Sequence, residues 1–316
     1  MLPFLTKRAI DLVVVLLGVS VLVFLMIRLI PGDAVQIMLG ANTEVTPQQI
    51  AQMRSKLGLD QPILTQYWGW LTAALGGNLG QSVWTGAPVS REILARLPIT
   101  AELTVLPLIL ATLLAVPLGI LTAAWRNSTL ERFIRFFTIV GITTPAFWLG
   151  TLFIYLAFLL FPKWATIGYV PFSENPTGHL SRIFLPTVAL ALPLLAGLVR
   201  ILRSSLLEVL NQDFVRTARA KGLPERQVLY KHALKNALVP LLTVLGIQAG
   251  YLFGGAIVVE QVFAIPGFGR LIVGAINERN YALVQGAILV VTAGFVVINF
   301  VVDLLYALVD PRVEYQ

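Results

Sequence analysis

Cysteine is absent from this 316-residue chain, which excludes disulfides and thiolate metal sites. Histidine is almost absent: only His179 and His232 are present. Apolar runs place those two on opposite predicted sides of a membrane, so they share no metal. Charge is scarce as well. Asp, Glu, Lys and Arg make up 12% of the chain, against about 25% in soluble domains. There is no G-x-x-x-x-G-K-[ST] loop to cradle phosphates and no H-E-x-x-H. A Gly-x-Ser-x-Gly elbow is missing too, since Gly80-Gln-Ser-Val-Trp84 ends in Trp. A membrane enzyme therefore has few candidate residues.

Hydrophobic residues are what the chain has: 57% of the total, with a mean hydropathy of +0.82. The fold class expected is an all-α integral membrane protein. Six stretches approach the ~20 apolar residues that span a bilayer: 9–30, 101–125, 136–161, 183–202, 237–259 and 282–308. The first follows Lys7 and Arg8 and exceeds the core of a signal peptide, about 7–15 residues. It ends in Arg28-Leu-Ile-Pro-Gly32 with no small-residue cleavage site, so an uncleaved first span is expected. The division expected is 1–30 (tail and first span), 31–98 (outer region), 99–310 (five-span core) and 311–316 (tail).

The net charge of +7 would suit nucleic acid in a soluble protein. In a membrane protein, basic residues mark the cytoplasmic side instead. Lys7 and Arg8, the 126–135 link and the 200–236 segment carry the densest Lys and Arg and fall on one side. Both termini are therefore expected in the cytoplasm. Segments 31–98, 162–182 and 260–281 then face outward. In 31–98, Thr46-Pro-Gln-Gln49 predicts a capped short helix toward Leu57. Tyr67, Trp68, Trp70 and Leu71 predict a second, suited to the membrane boundary or to a cap on the bundle.

Acidic residues within or at the ends of spans are functional suspects by default. Asp11 and Glu102 lie near interfaces, where water solvates them; Asp303 lies deeper. A proton relay needs a chain of such groups, and the central spans lack one. A self-contained channel needs a polar stripe or filter loop, and neither is visible.

One polar segment stands between apolar runs. It reads Asn211-Gln-Asp-Phe-Val-Arg-Thr-Ala-Arg-Ala-Lys-Gly222-Leu-Pro-Glu-Arg-Gln-Val-Leu-Tyr-Lys-His-Ala-Leu-Lys-Asn236. A basic face on anionic lipid would account for the charge alone. The apolar positions do more. Phe214, Val215 and Ala218, then Val228, Leu229 and Leu234, repeat at roughly helical spacing on either side of Gly222-Leu-Pro224. Two short amphipathic helices meeting at a tight turn are predicted, with apolar side chains offered to a partner's groove.

Arg216-Thr-Ala218, three residues, then Gly222 resembles the coupling motif of ABC-importer permeases, Glu-Ala-Ala followed by three residues and Gly. Arg216 and Thr217 stand in place of its Glu and first Ala. The continuation through Leu223 to His232-Ala-Leu-Lys-Asn-Ala237 is similar to the dipeptide/oligopeptide/nickel branch. Further stretches resemble that branch in order and spacing. They are Arg28-Leu-Ile-Pro-Gly-Asp33, Leu57-Gly-Leu-Asp-Gln-Pro62, Pro98-Ile-Thr-Ala-Glu-Leu103, Val259-Glu-Gln-Val-Phe-Ala-Ile-Pro-Gly-Phe-Gly-Arg270 and Asp303-Leu-Leu-Tyr-Ala-Leu-Val-Asp-Pro-Arg312. Asn78 and Asn280 stand where many relatives carry Asp.

The resemblance implies a non-catalytic permease in the inner membrane of a prokaryote. It implies a second homologous permease, two ATPase subunits that bind the ATP and Mg, an extracytoplasmic binding protein and surrounding lipid as partners. Nucleic acid is not among them. The cytoplasmic loop 204–236 would press on the ATPase through Asp213, Phe214, Arg216, Thr217, Ala218, Arg219, Ala220, Lys221, Gly222, Leu223, His232 and Asn236. The cargo implied is di- or oligopeptide, with nickel chelates, glutathione and oligosaccharides as alternatives. The resemblance assigns no residues to the substrate path.

Overall fold

The structure, a computed structural model, describes residues 2–29, 46, 48, 55, 60–164 and 166–309. Most of the predicted 46–57 helix, most of the Leu57–Pro62 motif and the tail beyond Val309 lie outside these residues, as does the side chain of Asp303. Among the described residues the chain is helical, with no strand and one isolated bridge, Gln81 with Pro88. The helices are α1 (Leu2–Leu29), α2 (Ile63–Leu75), α3 (Val89–Ala124), α4 (Thr129–Thr143), α5 (Ala146–Leu160) and α6 (Pro176–Val209). They continue with α7 (Asp213–Ala220), a single turn α8 (Glu225–Gln227), a wider π-helical stretch (Val228–Ala233) and α9 (Leu234–Gly255). Last come α10 (Ile257–Val262), α11 (Phe268–Asn277) and α12 (Tyr281–Val309).

Among the described residues, four helical runs are long and apolar enough to cross a membrane: Val89–Ala124, Pro176–Val209, Glu225–Phe253 and Tyr281–Val302. The pair α4 and α5 makes a fifth if counted as one span, and α1 contributes the shorter apolar stretch Ile10–Met26. The third predicted span is therefore not a rod: α4 and α5 meet at 104°. Pro145 is the cause. It biases the preceding residue away from helical angles, and Thr144 is extended, with φ −91 and ψ 122.

The chain divides into two compact units, 1–98 with 267–296 and 99–266 with 297–316. In the first, Phe24 of α1 packs its ring against Tyr67 and Trp70 of α2. The Arg28 guanidinium lies 3.5 Å from the centre of the Phe24 ring and donates to Gln66 Oε1. Tyr67 and Trp70 thus pack inward, whereas Trp68 is exposed. A second cluster joins Val89 and Ile93 of α3 to Phe268 and Ala275 of α11 and Leu283 and Ala287 of α12. Asn280 is buried and donates to Ser82 Oγ at 2.7 Å, tying the 76–88 turn to the start of α12. Asn78 accepts from the Gly80 amide within that turn.

In the second unit α6 is the central post. Leu198, Leu202 and Leu206 are fully enclosed, and α4, α5 and α9 pack on it. At Gly119 of α3 a Cβ would lie 2.8 Å from Leu202 Cδ2, so close helix packing requires glycine there. Glu260 is buried and accepts from Thr100 Oγ1 at 2.7 Å.

Candidate functional site

The polar segment forms as a helix, a glycine turn and a second helix. α7 turns Val215 and Ala218 into the core of the second unit. Asp213, Phe214, Arg216, Thr217, Arg219, Ala220 and Lys221 remain exposed. Asp213 sits in the first turn, where its charge suits the helix dipole, and pairs with Arg216 at 3.3 Å. Thr217 Oγ1 donates to the Asp213 carbonyl.

The stop is a Schellman motif. The Gly222 amide donates to the Arg219 carbonyl at 2.9 Å, and the Leu223 amide to the Ala218 carbonyl at 3.4 Å. Gly222 has φ +77, the left-handed region that favours glycine. Leu223 then packs against the same core as Ala218. Arg219 straddles the turn, donating from Nε to Glu225 Oε2 at 3.1 Å and from Nη2 to Oε1 at 2.6 Å. The Arg219 hydrogen bonds hold the Glu225 carboxyl below the usual carboxylate range. The same bonds raise the Arg219 guanidinium further.

Pro224 caps the next helix from outside rather than occupying its first position. That helix is not short. Through the π-helical stretch it continues into α9 as one run, Glu225–Phe253. His232 is half-buried in the wide stretch, and Asn236 Nδ2 donates to its carbonyl at 2.9 Å. The apolar positions also differ from expectation. Val228 is buried, and Leu229 and Leu234 pack on the chain's own core. The exposed apolar groups are Phe214 and Tyr230. Tyr230 lines an open hollow of about 410 Å³ with Arg226, Gln227 and Lys231.

Two residues counted in the basic loop are elsewhere. α6 runs to Val209, so Arg200 and Arg203 are helical. Arg203 pairs with the buried carboxylate of Glu131. Glu131 also accepts from the Asn127 amide at 2.5 Å, while Ser128 Oγ accepts from the Glu131 amide. The spacing Ser128-x-x-Glu131 is a legible capping signal; the partner Arg203 is not legible.

A second polar cluster involves Glu102. His179 Nδ1 donates to the Val170 carbonyl at 2.8 Å, because a carbonyl only accepts. Its Nε2 is hydrogen-bonded to Glu102 Oε1 at 2.6 Å. Tyr169 donates to Glu102 Oε2 at 3.2 Å. Burial, then the Glu102 charge, then this hydrogen bond push the Tyr169 phenol up to about 12, so it stays a donor at neutral pH. Glu102 is thus held by protein partners. Asp11 is exposed. No cluster of metal-ligating side chains occurs among the described residues.

Long apolar helices, one of them broken, and a glycine-stopped polar loop between two spans define a helical membrane permease of the ABC-importer type. The chain belongs to the family of binding-protein-dependent transport system inner membrane components, which it matches over residues 115–315. The N-terminal family of these membrane components matches residues 1–104. A probable peptide ABC transporter permease of Sinorhizobium fredii is 39% identical over 99% of both chains. A putative peptide transport system permease of Brucella abortus and a glutathione transport system permease of Salmonella paratyphi A are each 39% identical over the full length of both. The inward-facing MetNI methionine ABC transporter shares the fold, with a TM-score of 0.54 at 20% identity. The match covers 69% of this chain and 96% of that one.

Proposed function

We propose that this chain and a second, related permease form the membrane path of an ATP-driven importer of di- or oligopeptides. An extracytoplasmic binding protein delivers the cargo. One of two ATPase subunits docks on residues 204–236, and the pair holds the ATP and Mg, for which this sequence has no phosphate-cradling loop. The single observation that carries the docking role is the glycine-stopped turn. It fixes the direction of α7 against the chain's core while leaving Phe214, Thr217, Ala220 and Lys221 open to a partner. The peptide cargo is supported by the names of the Sinorhizobium and Brucella relatives. Glutathione, itself a peptide, is the second reading, favoured by the Salmonella relative.

The density of Lys and Arg supports a cytoplasmic 204–236 segment and cytoplasmic termini. The boundaries 1–30, 31–98, 99–310 and 311–316 remain the proposed division. The decisive experiment reconstitutes the four membrane subunits with the binding protein. ATP hydrolysis stimulated by the loaded binding protein, with peptide accumulation in the vesicles, is expected. Binding-protein ligands identified as sugars or metal chelates would overturn the cargo.

A further inference from the structure

The break between α4 and α5 opens onto a cavity of about 530 Å³ in the second unit, within the ~300–1,000 Å³ usual for small-molecule sites. Its walls come from α4, α5, α6, α9 and α10. Irregular backbone at membrane depth is tolerated where it is buried in protein or lines a water-filled cavity. Thr144 and Pro145 line this one, midway along the 129–160 pair.

Three polar side chains converge there: Arg200 of α6, and Gln248 and Tyr251 of α9. Among the described residues none of the three has a side-chain hydrogen bond or ion pair. Arg200 and Tyr251 are exposed. In a membrane protein a cation with no ionic partner is typical of water-filled cavities and of ion or substrate pathways. Among the described residues no Asp or Glu lines the cavity, so their formal charge is positive.

We propose that this cavity is a cargo site in the membrane, which pairs Arg200 with the free carboxylate of a peptide. Gln248 offers an NH2 donor and a carbonyl acceptor, the complement of a peptide group. The Tyr251 hydroxyl adds a further polar contact. Phe147, Leu194 and Val259 give apolar walls that accept side chains with little selection. The first turn of α5 opens on the same space, and its dipole favours an anion. A guanidinium pairs bidentately with carboxylate, which favours free peptides over neutral sugars and cationic chelates. The proposal rests on the importer reading above and deepens it.

The test uses the assembled transporter with its binding protein in vesicles, with trialanine and its C-terminal amide as probes. Absence of trialanine uptake by the wild-type complex would defeat the peptide reading itself. Given uptake, Arg200→Gln should lower it at least ten-fold and Arg200→Lys less than three-fold. Because this subunit has no native thiol, Tyr251→Cys reports on the cavity directly even if Arg200→Gln fails to assemble. Trialanine should slow labelling of that thiol several-fold, and the amide should not. Equal protection by both probes, or by neither, would sink the site. So would a thiol that never labels in the complex, since the second permease would then cover the face. Unchanged uptake in Arg200→Gln would overturn the role of the charge.

Discussion

At Gly222 a Cβ would meet nothing within 4 Å, so crowding does not demand glycine there; the φ of +77 does. A left-handed conformation costs an L-residue about 1–2 kcal/mol, and a β-branched one more. Gly222→Val should insert and pair with the second permease, yet lose ATPase association or uncouple hydrolysis from transport. Gly222→Asn, which tolerates this conformation, should retain most of both. Wild-type transport and ATPase rates in the Val variant would remove the turn from coupling.

The Arg219–Glu225 bridge across the same turn should respond to acid. Glu225 is depressed in the folded state. Its stabilisation is therefore present above the unfolded carboxylate pKa and lost as pH falls through the lower folded value. Both groups are largely exposed, which limits the effect to about 0.2–1 kcal/mol. Amide exchange at Gly222 and Leu223, corrected for intrinsic rates, should rise below about pH 4. In Glu225→Gln it should be faster at neutrality and flat with pH. A larger penalty is expected at Glu102. Glu102→Ala leaves the buried His179 ring without its second partner, at about 1–3 kcal/mol, readable as a lower melting temperature of the purified protein.

α7 buries one face in its own chain and leaves the other exposed. Val215→Ala removes two buried methyl-sized groups, about 2 kcal/mol, and should lower thermal stability. Phe214→Ala removes an exposed ring and should leave stability unchanged while weakening ATPase binding; wild-type affinity would show that Phe214 makes no contact. The existence of α7 and its stop were legible, because Gly222-Leu-Pro224 interrupts a helical spacing. The continuity of 225–253 was not. Polar residues at its start hide a helix whose hydrogen bonds carry on regardless, and Pro240 inside α9 looks like a boundary. Pro145 was visible too, but hydropathy is blind to direction, so 136–161 read as one span. The extension of α6 was written in Leu202, Leu206 and Val209, which keep helical spacing among Arg, Ser and Glu. Arg203 with Glu131, and Arg200 with Gln248 and Tyr251, come together only through tertiary packing.

For the molecule as a whole, the proposed orientation rests on the distribution of Lys and Arg. In intact cells an impermeant thiol reagent should label Ser55→Cys, and should label Arg226→Cys only after the membrane is permeabilised. The reverse pattern would invert the topology. The native chain's lack of cysteine means the introduced thiol is the subunit's only one.

The single run from Glu225 to Phe253 also sets a mechanical ratio. At 1.5 Å per residue, 29 residues make a rod of about 44 Å. On the proposed docking, an ATPase that tilts the loop end by about 10° would swing the far end by roughly 8 Å, less whatever the π-helical stretch and Pro240 absorb. Gln248 and Tyr251 ride on that rod. Nucleotide-driven rotation at the cytoplasmic surface would then reach the cavity as an amplified sideways stroke, and the width of the opening would follow from leverage.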